Sequence, residues 1–241
     1  MYNKTILKMK KISVFMVIAA IGLIVASCGN GYNANVKLKS DVDSALYAVG
    51  VVNGVSFRDG LQTFPGAEGQ GNYDALITGF AAAINDKPLK MTPDEAQIFL
   101  QTYVTEAQEK EMRAIKAEGE AFLATNKSKA GVITTESGLQ YKAITEGTGA
   151  KPTTQSIIIV HYTGKFLNGT VFDSSVERGE PVEFLLSDVI QGWIEVLQLM
   201  PVGSKYQVWI PYELAYGEQG NQGIKPYSAL EFEIELLGIK E

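Results

Sequence analysis

Apolar and polar residues alternate at the C-terminal end of the chain. Because successive side chains of a strand point to opposite faces, this period of two predicts a half-buried antiparallel strand with its acids facing solvent. The inward residues are Leu230, Phe232, Ile234 and Leu236, separated by glutamates. Similar β-branched and aromatic runs, divided by glycine and proline, fill the rest of 134–241, and one short helical pattern around Trp193 interrupts them. An antiparallel sheet wrapped around a short helix is therefore predicted for 134–241.

The preceding region, 41–127, has apolar residues at helical spacing instead. Two short amphipathic helices are expected, the first opened by Asp41 and Asp43 as candidate caps. Their apolar residues are Val42, Ala45, Leu46, Val49, Val52 and Phe57, then Tyr73, Leu76, Ile77, Phe80 and Ile84. A third helix is predicted to begin at 92–95, where Thr92 can cap, Pro93 suits the first helical position and Glu95 is the capping-box acid. The sequence has no helix-ending signal before about Thr125. About thirty residues at 1.5 Å each predict a rod of about 50 Å, with a charged later half typical of a linker helix.

These two patterns predict an α+β protein with an all-α N-terminal arm followed by the sheet domain. The arm is too small to bury its own apolar stripes, because two short helices and half a rod amount to fewer than about 70 residues. Pairing with a second copy, as a homodimer, would bury them. The alternative is a monomeric bundle that folds against the C-terminal domain.

The first 27 residues are expected to be a targeting signal and no part of the fold. Four lysines precede an apolar run over 12–26, whose length of about 15 residues is short of the roughly 20 that span a bilayer. The run ends in VASCG, which resembles the lipobox of bacterial lipoproteins, where the cysteine is acylated and becomes the first mature residue. The resemblance implies a signal peptide over 1–27, lipidation of Cys28, and export to a bacterial membrane, with the outer membrane facing the periplasm as the expected place. Residues 28–40 are polar and read as a flexible tether. An uncleaved anchor with an incidental cysteine is the alternative.

Charge and composition exclude several functions. The net charge is −6 and becomes about −10 once four lysines leave with the signal, which argues against a nucleic-acid partner. A single cysteine forms no intramolecular disulfide, and a single histidine, His161, excludes a histidine-rich metal site. No metal or cofactor is expected, and His161 is interpreted as structural because no candidate nucleophile accompanies it.

Five short motifs follow one another in the C-terminal region. They are VHYTG at 160–164, VFDSS at 171–175, VIQGW at 189–193, PYELAYG at 211–217 and the strand at 232–237. In order and spacing they resemble the FK506-binding-protein (FKBP) family of peptidyl-prolyl cis-trans isomerases over about 134–241. The region 41–127 looks like the dimerising arm of the FkpA/Mip-like members.

The resemblance implies a role for each pocket residue. Asp173, Tyr216 and Tyr162 would be catalytic, with Asp173 facing the twisting amide. Trp193 would be the floor of the proline pocket, and the Ile190 N–H would hold a substrate carbonyl. The other implied substrate-binding residues are Phe172, Arg178, Phe184, Val189, Ile224 and Phe232.

Prolyl isomerisation suits such a pocket because it needs no bond to a nucleophile. The barrier of about 18–20 kcal/mol comes from the partial double bond of the amide, and a dry aromatic site disfavours the planar dipolar form relative to the twisted one. The predicted partners are therefore proline-containing polypeptides that fold after export. The alternative functions are a dimeric chaperone (holdase) in which isomerisation is secondary, and a lipid-tethered scaffold.

The sequence departs from the family pattern at the edge of the pocket. Val182 stands where a large aromatic is common, and Lys225 and Tyr227 stand where a proline and a small polar residue are usual. Asn221 and Gln222 also differ. The loop over 221–227, which holds all of these residues except Val182, overhangs the pocket in the family. These differences therefore bear on substrate preference.

Overall fold

A computed structural model describes residues 35–65 and 73–240. The predicted signal peptide, Cys28 and most of the tether lie outside them. The chain divides into two compact units between Thr92 and Pro93, and the α+β class predicted above is confirmed.

The first unit contains helices α1 (Asp41–Leu61) and α2 (Tyr73–Ile84). Helix α1 begins with a capping box formed by Ser40 and Asp43, so Asp43 takes part in the cap as expected and Ser40 holds the N-cap position in place of Asp41. The Ser40 hydroxyl accepts from the Asp43 N–H at 3.0 Å, and the Asp43 carboxylate accepts from the Ser40 N–H at 2.9 Å. Neither helix buries a single described residue, so the apolar stripes of this unit remain open.

Helix α3 (Pro93–Asn126) opens the second unit. It starts where the capping signals predicted and ends one residue after the expected Thr125. Its last turn is fixed to the sheet by two buried amides. The Asn126 Nδ2 donates to the Gln140 Oε1 at 3.0 Å, and the Gln140 Nε2 donates to the Leu123 carbonyl at 2.8 Å. Because a buried amide left without a partner costs about 1–3 kcal/mol, this network fixes where the helix ends.

A seven-stranded antiparallel sheet forms the rest of the unit, in the order β1-β2-β6-β7-β3-β4, with β5 paired to β3. The strands are β1 (Ile133–Thr134), β2 (Gln140–Thr145), β3 (Ile157–Phe166), β4 (Val171–Ser174), β5 (Val182–Leu185), β6 (Lys205–Ile210) and β7 (Leu230–Lys240). Between them lie helices α4 (Ser175–Arg178) and α5 (Gln191–Leu199) and 3-10 turns at Leu186–Asp188 and Tyr212–Leu214.

The core lies between the sheet and α5. Leu230, Phe232, Ile234 and Leu236 of β7 are all buried, as their alternation predicted. The glutamates between them occupy the opposite face, where Glu233 pairs with Lys205 at 2.7 Å and Glu231 accepts from the Trp209 indole at 3.1 Å. The strand therefore has one apolar face against α5 and one paired, charged face.

Candidate active site

An aromatic cluster converges on Trp193 at the first turn of α5. The ring centroids of Tyr162, Phe232 and Phe184 lie 5.1, 5.4 and 6.0 Å from that of Trp193, at interplanar angles of 83°, 82° and 85°. Near-perpendicular contacts of this kind set the positive edge of one ring against the negative face of another. The rings come from three strands and a helix, so the tertiary fold assembles the cluster.

Two glycines make this packing possible. A Cβ at Gly164 would lie 2.6 Å from the Phe172 ring and 2.8 Å from the Phe232 ring, which contact each other at 5.7 Å and 89°. A Cβ at Gly192 would lie 2.5 Å from Ile210, so only a glycine lets α5 approach β6 this closely. The glycines of the VHYTG and VIQGW motifs thus set where the aromatic rings stand.

The remaining apolar residues predicted for the pocket belong to, or pack against, the hydrophobic core that includes these rings. Ile224 is buried, and Val189 and Ile190 are half-buried beside it. Val182, the smaller residue at the pocket edge, also packs there. Ile190 is the N-cap of α5, and its N–H has no acceptor in the described parts of the chain.

A polar triad borders the apolar cluster. The Tyr162 hydroxyl donates to the Asp173 Oδ2 at 2.5 Å, and the Arg178 guanidinium pairs with the other carboxylate oxygen. Arg178 also donates to the Tyr162 hydroxyl at 3.1 Å. Antiparallel register pairs Asp173 of β4 with Gly164 of β3, two residues from Tyr162 on the same face of the sheet. Helix α4, capped by Ser174, brings Arg178 back over Tyr162 and Asp173. Both oxygens of the carboxylate are therefore engaged.

Tyr216 follows the 3-10 turn at Tyr212–Leu214 and packs half-buried against the core. The Asn221 side chain lies near its hydroxyl and opposes the rise of the Tyr216 pKa that burial causes. Because a phenol has one proton to donate and the described residues provide no acceptor for it, the Tyr216 proton is available to a substrate carbonyl.

The sequence matches two family models. The model of the FKBP-type peptidyl-prolyl cis-trans isomerase matches 148–237, and that of the domain amino terminal to this isomerase matches 42–143. The FKBP-type 22 kDa peptidyl-prolyl cis-trans isomerase of Escherichia coli (strain K12) is 48% identical over 170 residues, covering 69% of this chain and 82% of the relative. Outer membrane protein MIP of Legionella longbeachae is 37% identical over 228 residues, covering 94% of this chain and 97% of the relative. The crystal structure of FkpA from Escherichia coli aligns with a TM-score of 0.69 at 34% identity and covers 85% of this chain and 99% of that one.

The chain belongs to the FKBP-type peptidyl-prolyl cis-trans isomerases. Identity of this extent over most of both chains supports the isomerase function, and the relatives do not favour a holdase with secondary isomerase activity. Of the residues that the FKBP resemblance assigned to one pocket, the aromatic residues and the triad contact one another, and the others belong to or pack against the core that contains those rings. Their individual roles in catalysis stay predictions.

Burial and hydrogen bonding hold the triad of this isomerase in one protonation state. Burial raises the pKa of Tyr162 above its ordinary 10.0, and the hydrogen bond to Asp173 raises it further. Burial also raises the pKa of Asp173, but hydrogen bonds from Tyr162 and Arg178 outweigh it and leave this pKa below 3.8. Burial, followed by the negative charge of Asp173, raises the pKa of Tyr216.

Two supporting residues were not identified from the sequence. Ser175 is fully buried, and its hydroxyl accepts from the Tyr162 N–H at 2.8 Å and contacts the His161 Nδ1 at 3.1 Å. It fixes the strand position from which Tyr162 reaches Asp173. Asn221 was noted only as a departure, although it lies near the Tyr216 hydroxyl. The position of Ser175 directly after Asp173-Ser174 is only a weak sign of its role. The place of Asn221 near Tyr216 depends on the path of the loop, which residue spacing does not reveal.

We expect kcat/KM for a cis-proline peptide to be constant between about pH 5 and pH 9, because Asp173 stays ionised and both tyrosines stay protonated across that range. Below it, activity should fall as Asp173 binds a proton. The stability contributed by this carboxylate is lost in the same direction, since its folded pKa lies below its unfolded one. Peptide turnover and a urea midpoint at each pH measure both effects. Asp173→Asn, which cannot titrate, is the control, and a step in kcat/KM near neutral pH would contradict the expectation.

Proposed function

We propose that this isomerase accelerates the folding of exported, proline-containing polypeptides, with the aromatic cluster around Trp193 and the triad beside it as its active site. The observation that carries the proposal is the convergence of four aromatic rings beside a carboxylate whose two oxygens are both engaged. A proline ring would rest on Trp193, and the amide that precedes it would face Asp173.

The proposed mechanism stabilises a twisted amide without covalent chemistry. A planar amide has a large dipole, so an apolar and water-poor wall disfavours it relative to the twisted form, which has lost resonance. The Ile190 N–H and the Tyr216 hydroxyl would hold the substrate carbonyls on either side of the rotating bond. Each 1.36 kcal/mol by which the site prefers the twisted form is worth a factor of ten in rate.

Asp173 acts in this proposal by orienting the amide, and proton transfer plays no part. Tyr162 and Arg178 occupy its two oxygens, and their hydrogen bonds keep its pKa low. A general base would need a free oxygen and a pKa near the working pH. The triad instead supplies a fixed dipole at the edge of an apolar surface.

Replacing Tyr216 with phenylalanine should lower kcat/KM by about tenfold, which corresponds to about 1.4 kcal/mol, because one hydrogen bond to the substrate is lost while the ring remains. Asp173→Leu should also slow catalysis. Cis-proline peptide turnover and proline-limited refolding of a substrate protein provide the measurements. Tyr206→Phe is the matched control, since its hydroxyl binds Glu146 away from the proposed active site. Wild-type rates in both Tyr216→Phe and Asp173→Leu would remove these catalytic assignments.

We also propose that the arm over 41–127 forms a homodimer. The apolar residues of α1 and α2 lie open on a unit that has no buried core of its own in its described residues, and Val52 is 66% exposed. Exposed apolar surface on this scale is typical of an interface. A second copy would cover it, and the domain division at 41–127 and 134–241 belongs to this proposal.

Val52→Asp tests the homodimer. If the valine is as exposed in solution as in the single chain, the change is nearly neutral. If a second copy covers it, a buried unpaired carboxylate should dissociate the dimer. Sedimentation equilibrium of residues 29–241 should give twice the chain mass for wild type and one chain mass for the variant. Lys90→Asp adds an acid at an exposed position of the same unit and should leave the dimer intact. A monomeric wild type would refute the homodimer.

Lipid anchoring at Cys28 is the third part of the proposal. Its support is the VASCG sequence and a relative named as an outer membrane protein. Within 35–65 and 73–240, none of the helices has the length and apolarity to cross a bilayer. Acyl chains would then supply the attachment, with the outer membrane facing the periplasm as the proposed location.

Cys28→Ser should move the full chain from the membrane fraction to the soluble fraction of a Gram-negative host and abolish incorporation of labelled palmitate. The reason is that the thiol accepts the first lipid. Ser27→Ala, which keeps the cysteine and a small residue before it, should stay membrane-bound and labelled. Retention of Cys28→Ser in the membrane fraction would indicate another anchor.

A further inference from the structure

The loop over residues 217–227, here called the cleft loop, controls two groups of the active site. It starts directly after Tyr216 and contributes Ile224 to the same buried core that contains Trp193 and Phe232. Near its middle, the Gly220 N–H donates to the Tyr216 carbonyl at 3.1 Å, and the Asn221 side chain lies near the Tyr216 hydroxyl. Any shift of this loop therefore moves both an apolar wall and the orientation of a donor.

The two ends of the cleft loop meet over Tyr212. The Tyr227 N–H donates to the Gly217 carbonyl at 3.0 Å, and the Gly217 N–H donates to the Tyr212 carbonyl at 2.8 Å. Tyr227 has a φ of +61°, in the left-handed region that a bulky side chain rarely adopts. Such a backbone persists only where its surroundings hold it, so the contacts of the Tyr227 ring determine the shape of the loop base.

Helix α3 provides those contacts. The Lys116 ammonium lies 5.5 Å from the ring centroid of Tyr212 and 5.5 Å from that of Tyr227. The two rings contact each other at 5.1 Å and 65°. Both distances are within the roughly 6 Å over which a cation is attracted to an aromatic face. One lysine of the helix thus bridges the two residues that close the loop.

A second contact lies two residues before Tyr227, where Lys225 of the loop forms an ion pair with Glu111 of α3. Between these contacts and the β3–β4 turn the helix stands away from the domain, leaving a cavity of about 390 Å³ lined by Ile115 and Glu118 of α3 and by Gly223 of the loop. The helix therefore holds the cleft loop at discrete points. The loop residues that contact α3 are Lys225 and Tyr227, and both differ from the residues that are usual in the family.

We infer that Lys116, assisted by Glu111, is a positioning residue for the isomerase reaction, through which α3 holds the cleft loop and so sets the affinity for substrate. The inference rests on the proposed active site. Lys116 touches neither the aromatic cluster nor the triad in the described residues, so it acts through Tyr212 and Tyr227. The linker helix is thereby part of the substrate-binding apparatus.

The test is Lys116→Met in the chain 29–241, which keeps the aliphatic stem and removes the charge. We expect kcat/KM for a cis-proline peptide to fall about three- to tenfold, mainly through a higher KM, as the loss of a cation from two rings predicts. Lys116→Arg should stay within about twofold of wild type, because a guanidinium also binds aromatic faces. A merely structural role would lower the melting temperature without this split between KM and kcat.

Two further variants complete the experiment. Lys110→Met removes a lysine of the same helix that has no ion pair or ring contact among the described residues, and it should leave KM unchanged. Glu111→Lys should raise KM, and adding Lys225→Glu should restore it by reversing the pair. All variants are compared after their melting temperatures show that they are folded.

The outcomes separate this inference from the proposed function. If the wild type turns over peptide and Lys116→Met keeps the wild-type KM, the positioning role is wrong and the active site stands. A loss in Lys116→Met that Lys116→Arg does not rescue also overturns it. If the wild type does not turn over the peptide, the active-site proposal is wrong, and the inference that rests on it is wrong as well.

Discussion

The functional half of this protein depends on the packing of Trp193 against rings that approach it nearly at right angles. Such contacts are worth about 0.5–1.5 kcal/mol each beyond the area they bury, and they fix ring orientation as well as distance. The close approach is possible only because Gly164 and Gly192 have no Cβ. These two glycines therefore determine how closely the elements that hold the rings pack together. The Trp193 indole nitrogen is buried without a partner in the described structure, a cost that the fold accepts at this position.

The polar side of the site is balanced internally. An ionised carboxylate at the edge of an apolar cleft would be costly alone. Here the guanidinium of Arg178 neutralises its charge and the phenol of Tyr162 satisfies its second oxygen, so the triad is a closed set of hydrogen bonds. The result is a fixed arrangement of charges beside a buried aromatic cluster. A reaction that rotates a bond without forming one can use such an arrangement throughout its course.

Patterns with a strict period could be read from the sequence. The alternation in β7 identified its buried face, and the cap, proline and acid at Thr92–Glu95 located the start of α3. The pocket residues could be assembled from the order of the FKBP motifs. The cap of α1 was misplaced by one residue, because Ser40 and Asp41 both suit the position and only the backbone angles distinguish them. Ser175, Asn221 and Lys116 could not be found, because each acts on a residue that the fold brings near.

The buried amides at the end of α3 have a consequence for where the isomerase unit begins. Gln140 of β2 satisfies its side chain with the Leu123 carbonyl and Asn126, and Ala229 is covered by Gly119, all partners upstream of the first strand. A fragment cut at residue 134 would strip that side of the sheet and leave its polar groups to water. We therefore expect an isomerase unit that keeps the second half of the rod to be more stable than one that starts at residue 134.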